Sequence, residues 1–215
     1  MKDGQRFLTP EEIEILKSQS CTAEDWDRIK VTEGFIPKYV RNVRFSGDIR
    51  MGVFSKCFDM PGGIRKHSGI YNATLHNVDV GDDCCIENVK NYIANYQIGS
   101  DTFIENVDII LTDGLSSFGN GVEVAVLNET GGREVMIYDR LTAQTAYVMA
   151  LYRHLPEMVA NLRAAIGRYV DSVSSDIGYI GSNVTIVDSG YIKNVKVGDY
   201  AKIEGSSRLK NGSIN

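Results

Sequence analysis

Two histidines lie in polar stretches where a proton acceptor could act on a bound molecule. His67 ends the run GGIRKH, and His76 lies between a leucine and an asparagine. Histidine suits general-base chemistry because the pKa of imidazole lies near neutrality. Arg65 and Lys66 directly precede His67 and could hold an anionic group such as a phosphate. We take His67 and His76 as candidate catalytic residues and Arg65 and Lys66 as candidate substrate-binding residues, against the alternative of ordinary exposed polar side chains.

A second polar cluster lies further along the chain, and five of its residues are candidates for substrate binding: Asn120, Glu123, Asn128, Glu129 and Arg133. Glycines alternate with these residues and would let a ligand approach the backbone closely. The guanidinium of Arg133 could clamp a phosphate or a carboxylate. The alternative is a β-hairpin whose glycines serve only its turn.

The sequence of the elements that must position these residues contains an internal repeat. VGDDCCIENVKNYIANYQ (80–97) is followed directly by IGSDTFIENVDIILTDGL (98–115), a similar segment of the same length. Apolar residues recur every six positions, and the rhythm returns after residue 176, with one slip: Val80, Ile86, Tyr92, Ile98, Ile104, Ile110, Ile180, Ile186, Ile192, Val197, Ile203 and Leu209. A period of six does not fit an amphipathic helix, so it predicts a solenoid of short strands with one inward apolar residue per strand.

The finer pattern predicts how the corners of the solenoid are built. Five hexads (VGDDCC, IGSDTF, IGSNVT, VGDYAK and IEGSSR) place a glycine or glutamate after the apolar residue, and glycine tolerates a corner that a Cβ would obstruct. A small fifth residue is expected to point inward: Cys84, Thr102, Val184, Ala201 and Ser207. Cys85 aligns with Phe103 and is expected to point outward, so packing explains the cysteine pair better than redox chemistry. Asn42, Asn77 and Asn194 recur before strands and are expected to stack and bond to turn backbone.

With these hexads the chain resembles the hexapeptide-repeat proteins, the left-handed parallel β-helix family, in which eighteen residues make one three-sided coil. The resemblance covers residues 40–115 and 177–215. It implies a mainly β fold, a left-handed parallel β-helix solenoid, whose handedness opposes the usual rule for crossovers. The N-terminal segment and the stretch GVEV…NETGGR also resemble a large uncharacterised bacterial family of hexapeptide-repeat proteins, whose members are longer.

The resemblance implies a transferase. Members of the family carry acyl groups from acyl-CoA, bound between adjacent coils of a homotrimer, to a sugar or nucleotide-sugar, with a histidine as base. Here His67 or His76 would be the base, and Arg65, Lys66 or Arg133 would hold an anion. A metal-dependent hydratase of this fold needs convergent histidines that the sequence lacks, so no metal site is expected. The alternatives are a non-catalytic trimeric scaffold or ligand-binding module, and the solenoid part of a sugar nucleotidyltransferase-related protein.

The pattern divides the chain into four segments. Residues 1–39 are expected to form an N-terminal helical cap, since Thr9 and Pro10 begin a helix well and Thr22 opens a second, shorter one. Residues 40–115 form the first β-helix section, and residues 177–215 form the second, which ends midway through a coil and is expected to be truncated. Residues 116–176 form an insertion, in which a β-hairpin precedes a long helical stretch that Pro156 breaks or kinks.

Composition and charge limit the kinds of partner and the cellular location that the sequence allows. The net charge of −5 argues against a nucleic-acid partner, and no apolar run reaches the length of a membrane span. The cysteines lack a zinc-ligand or CxxC spacing, which favours a reduced, cytoplasmic location. Neither a GxxxxGK[ST] loop nor a GxGxxG run after a strand is present.

Overall fold

The protein is mainly β, with a large parallel sheet, in a computed structural model that describes residues 4–125 and 131–215. The strands in the first half are β1 (Gln5–Phe7), β2 (Thr22–Ala23), β3 (Ile29–Thr32), β4 (Val40–Met51), β5 (Cys57–Met60), β6 (Ile64–His67), β7 (Gly69–Val80), β8 (Cys85–Glu87), β9 (Tyr92–Ile98), β10 (Phe103–Glu105) and β11 (Ile109–Leu111). The remaining strands are β12 (Val122–Ala125), β13 (Glu134–Ile137), β14 (Gly178–Ile180), β15 (Thr185–Val187), β16 (Tyr191–Val197), β17 (Lys202–Glu204) and β18 (Arg208–Ile214). The helices are α1 (Pro10–Ser18), α2 (Ala143–Leu151) and α3 (Pro156–Val173).

Parallel pairing places apolar residues in three in-register rows. The first row is Val40, Ile70, Ile86, Ile104, Ile186 and Ile203. The second is Ala23, Phe45, Leu75, Ile93, Ile110, Ile192 and Leu209. The third is Val31, Met51, Val80, Ile98, Ile180, Val197 and Ile214. The rows share one hydrophobic cluster, where full burial of each large aliphatic contributes about 1.5–3 kcal/mol.

Two positions of the predicted hexads are wrong. Tyr92 is 37% exposed, and its neighbour Ile93 is fully buried and lies in the second row. The corner between β8 and β9 therefore uses one residue more than the sequence rhythm indicates. Ser207 is exposed, whereas Cys84 and Thr102 are fully buried as predicted.

One set of corners is made of glycines in close contact. Gly81, Gly99 and Gly181 lie at successive corners after the third row, where a Cβ added to any of them would lie within 2.7 Å of backbone at the next corner. The glycine is therefore required by close approach between neighbouring backbones, and not by a positive φ.

Asparagine ladders line the other corners. Asn42 donates through Nδ2 to Asn72 Oδ1 at 2.9 Å, and Asn72 donates in the same way to Asn88 Oδ1 at 2.9 Å. Asn77 donates to Asn95 Oδ1 at 3.1 Å in a second ladder, and its own Oδ1 accepts from backbone N–H of Asp48. All these asparagines have a positive φ, which asparagine tolerates because its side chain bonds locally. The predicted stacking is present, and Asn194 likewise donates to Asn211 Oδ1 at 3.3 Å, but Asn42 and Asn77 lie in different ladders and not at matching positions.

The N-terminal segment mixes helix and strand. Thr9 caps α1, as the sequence predicts, and also forms a capping box with Glu12. The second predicted helix is wrong, because Trp26–Arg28 forms a single 3-10 turn capped by Asp25. The chain then continues as β3, whose backbone pairs in parallel with β4.

The stretch after β11 leaves the sheet and returns to it. Ser116 and Ser175 exchange both backbone hydrogen bonds at 2.9 Å, and the 58 residues between them are an excursion from the parallel strands. The predicted hairpin is present as β12 paired with β13. Pro156 breaks the helical stretch as predicted, and α2 and α3 enclose a small second core with the hairpin.

No helix in the described part of the chain combines the length and the apolarity that crossing a bilayer requires.

Candidate functional site

The segment that carries His67 is a β-hairpin laid over the outer surface of the parallel sheet. Strands β5 and β6 pair antiparallel around a turn at Pro61–Gly63. Phe58 of this hairpin contacts Phe103 with ring centroids 5.3 Å apart. Cys85 points outward as predicted, yet it is fully buried because the hairpin covers it. Desolvation raises the pKa of the Cys85 thiol to about 12, which keeps the thiol protonated and unreactive.

Lys66 anchors the hairpin to the sheet. Its ammonium donates to Glu87 at 2.8 Å and to Glu105 at 2.5 Å, and all three side chains are about three-quarters buried. Desolvation acts to lower the pKa of Lys66, but hydrogen bonds with Glu105 and Glu87 outweigh it and the pKa is raised. An anionic ligand would have to displace two carboxylates here, so Lys66 serves the hairpin better than a substrate.

Arg65 lies on the exposed side of the same strand. Its Nε lies 3.1 Å from Asp59 Oδ1 across the hairpin, and the two side chains are 70% and 81% exposed. An exposed pair of this kind contributes little to stability, so Arg65 can exchange Asp59 for a ligand at little cost.

His67 is held with one ring nitrogen available. Its ring stacks on Tyr39, with centroids 3.7 Å apart and planes 8° from parallel. Its Nδ1 lies 2.7 Å from the carbonyl oxygen of Ser68, which accepts only, so Nδ1 carries the proton. In the neutral ring the lone pair is then on Nε2, which has no hydrogen-bond partner within the described residues. This arrangement fits a general base.

His76 has both ring nitrogens engaged. Nδ1 lies 2.8 Å from Ser46 Oγ, and Nε2 lies 3.0 Å from the side-chain amide of Asn77. Because the Asn77 amide is a donor, it occupies the Nε2 lone pair that a base would use. His76 shares no partner with His67 among the described residues, so the structure does not bring the two candidates together.

Asn120 is a structural residue of the insertion. It is 4% exposed, its Oδ1 accepts from Asp139 N at 2.7 Å, and its Nδ2 donates to Ser117 O at 2.7 Å. The side chain fixes the entry to the hairpin, and these two bonds leave little of it for a substrate.

Arg163, a residue that the sequence did not single out, contacts Glu123 and lines a cavity together with Arg133. Arg163 of α3 donates to Glu123 Oε1 at 2.6 Å and to the carbonyl oxygen of Glu134 at 3.0 Å. Arg133, which is exposed, lines the same cavity as Arg163. Helical spacing had marked this helix only by its apolar residues, so its arginines carried no signal. The candidates Asn128 and Glu129 lie outside the described residues.

The hairpin itself was missed by the sequence reasoning, although a signal existed. Met60-Pro61-Gly62-Gly63 carries turn chemistry between two short strands. Tyr39, which orients His67, lies far from it in sequence and no local pattern pointed to it. Across residues 4–125 and 131–215 no group of His, Cys, Asp and Glu could hold a metal ion.

Comparison with known proteins places the chain in a family. Residues 5–215 match the family model described as "Domain of unknown function (DUF4954)", so the chain belongs to that family. It is 26% identical over 220 aligned positions to a protein of Treponema pallidum (strain Nichols) described only as "Uncharacterized protein". The alignment covers 97% of this chain but 30% of that relative, so the chain spans less than a third of its length. No solved structure matches the chain.

Proposed function

We propose that the parallel strands form a left-handed β-helix of the hexapeptide-repeat type. The support is the three apolar rows, whose successive members from β7 onward lie 16–18 residues apart except across the excursion, together with glycine and asparagine corners in register. The handedness rests on the resemblance of the hexads. An experimental structure tests it, since a right-handed crossover between successive strands would contradict it.

On this fold we propose acyl transfer from acyl-CoA to a hydroxyl or amine of a sugar or nucleotide-sugar. The observation that carries it is the geometry of His67: Nδ1 is fixed on Ser68 O, and Nε2 is left to accept a proton. The base would remove the acceptor proton as the acceptor oxygen or nitrogen attacks the thioester carbonyl. The thiolate of CoA leaves and takes up the proton from the imidazolium.

The proposal includes a homotrimer in the cytoplasm. In the family that the hexads resemble, acyl-CoA lies between subunits, so the half-buried His67 would complete its site with a neighbouring copy. Light scattering of the purified chain tests the trimer. The four free cysteines, three of them buried, support a reducing compartment.

Substitution of the histidines tests the catalytic part. A general base contributes about 10²–10⁴-fold to rate, so His67→Ala should lower acetyl transfer to a panel of sugars by that factor. His154→Ala is the matched control, because His154 is exposed between α2 and α3 and lies outside the proposed site. Equal activity of His67→Ala and the wild type would refute the role of His67.

A non-catalytic scaffold is the second candidate, and two observations favour it. The Lys66 ammonium is paired with two carboxylates, and both ring nitrogens of His76 are hydrogen-bonded. Thermal unfolding in acetyl-CoA separates the candidates, since a ligand at 100 times its Kd adds about 2.7 kcal/mol of stability. No shift at millimolar acetyl-CoA would favour the scaffold.

A further inference from the structure

A cavity lined by three arginines lies in the insertion, between the β12–β13 hairpin and the two helices. Its volume is about 400 Å³, within the range of small-molecule sites. The charged part of the lining is Arg133, Arg153 and Arg163 with Glu134. The apolar part of the lining is Met149, Pro156, Val159 and Ala160, and α3 carries Arg163 as well as the last three of these.

The cations of this cavity outnumber the anions that face them. Glu123 pairs with Arg163, and the carboxylate of Glu134 accepts from the backbone N–H of Gly132. Neither Arg133 nor Arg153 has an ion-pair partner in the part of the chain that the structure describes. Among the described residues, three guanidiniums therefore meet two carboxylates.

Hydrogen-bond donors are also in excess. The Nε–H of Arg163 is buried and has no acceptor among the described residues. The Arg153 guanidinium lies against Gly132, where a Cβ would come within 3.1 Å of its Nη1. Glycine at this position lets the guanidinium approach the backbone at the edge of the cavity. Each guanidinium carries five N–H donors, so the cavity lacks acceptors rather than donors.

We propose that this cavity binds a small phosphorylated metabolite. The phosphate oxygens accept from Arg133 and Arg153, in the bidentate geometry that guanidinium offers to phosphate. The carbon skeleton of the ligand lies against the apolar side chains of Met149 and Val159. None of its residues belongs to the Cys57–His67 hairpin, so the site is separate from His67, and Arg133 holds the phosphate here rather than an anion of the acyl-transfer substrate.

Calorimetric titration with glucose 6-phosphate, inorganic phosphate and glucose tests the proposal. Glucose 6-phosphate should bind and inorganic phosphate should compete with it, whereas glucose should not bind. Arg153→Gln and Arg133→Gln should each weaken binding by about tenfold or more, the effect of losing a charge-assisted hydrogen bond. Both side chains are exposed, so the variants should fold, and circular dichroism checks that they do.

Arg168→Gln is the matched control, because Arg168 is an exposed arginine of α3 that does not line the cavity. It should bind glucose 6-phosphate as the wild type does. The proposal is overturned if the wild type binds neither phosphate compound at 10 mM, if glucose binds equally well, or if all three variants weaken binding alike. Acetyl-CoA binding in Arg153→Gln separates this cavity from the proposed acyl-transfer site, which that substitution should leave intact.

Discussion

Replacing a corner glycine tests the packing of the parallel strands most directly. In Gly99→Ala, the new Cβ would lie 2.6 Å from the carbonyl carbon of Gly181 and 2.7 Å from the backbone N of Ser182. Real Cβ atoms do not approach backbone so closely, and neither atom belongs to a flexible side chain. The two corners must therefore separate, which strains the hydrogen bond from Gly99 N to Ile180 O, now 2.7 Å long.

The expected cost follows from overpacking. Inserting a methyl group into a closely packed site costs about 1–3 kcal/mol, and contact with rigid backbone places Gly99→Ala near 3 kcal/mol. For a chain of 215 residues, 1 kcal/mol corresponds to about 2–4 °C in Tm. The melting temperature should therefore fall by about 6–12 °C, measured by circular dichroism or calorimetry.

Gly167→Ala is the matched control for this substitution. Gly167 lies within α3, and a Cβ built on it meets no atom within 4 Å. Alanine is favoured over glycine in a helix by about 0.8–1 kcal/mol, so this variant should be slightly more stable than the wild type. The reasoning fails if Gly99→Ala melts within 2 °C of the wild type, or if the two variants lose stability equally.

Three further predictions concern buried polar groups. Tyr96→Phe should lower the free energy of unfolding in urea by about 2–3 kcal/mol. The buried hydroxyl donates to Val195 O at 2.7 Å and accepts from Val195 N, so its loss removes the partner of both backbone groups. A decrease below about 0.5 kcal/mol would contradict this. The pKa of Lys66 is raised in the folded protein, so its ion pairs stabilise the fold fully below the pKa of the unfolded chain. This stabilisation is lost as pH rises through the pKa of the folded protein. The free energy of unfolding should therefore fall between about pH 9 and 12 in the wild type, and this fall should be missing in Lys66→Met. Iodoacetamide should label Cys57 rapidly and the other three cysteines only on unfolding, and mass spectrometry of the labelled protein would expose early labelling of a buried thiol.

The repeating part of the fold is the part that local sequence encodes. The apolar rows could be predicted because an inward apolar residue recurs at about every sixth position. The corner glycines could be predicted for the same reason. The extra corner residue at Tyr92 could not be predicted in this way, because Tyr92 and the residue after it are both apolar. Which of the two turns inward is decided by the length of the preceding corner, and the rhythm alone does not specify that length.

The candidate site was predicted only as a set of residue types. His67 and His76 look equivalent in the sequence, and they differ in the structure because Asn77 occupies one ring nitrogen of His76. The sequence likewise marks Lys66 as a free cation, although Glu87 and Glu105 reach it from neighbouring strands. Such pairings depend on tertiary contacts between residues far apart in the chain.

The paired backbones of Ser116 and Ser175 have an evolutionary consequence. Because these two residues already lie within hydrogen-bond distance, a short linker could join them and leave every neighbouring strand in register. The excursion between them can therefore be exchanged with changes confined to its own contacts, such as the bonds from Ser213 Oγ to Phe118 O and from Asn215 Nδ2 to Asp139 O. Its arginines and its helices can diverge at their own rate, while the rows of isoleucine and valine stay under the constraint of mutual packing. Relatives that share the strands should differ most in this excursion.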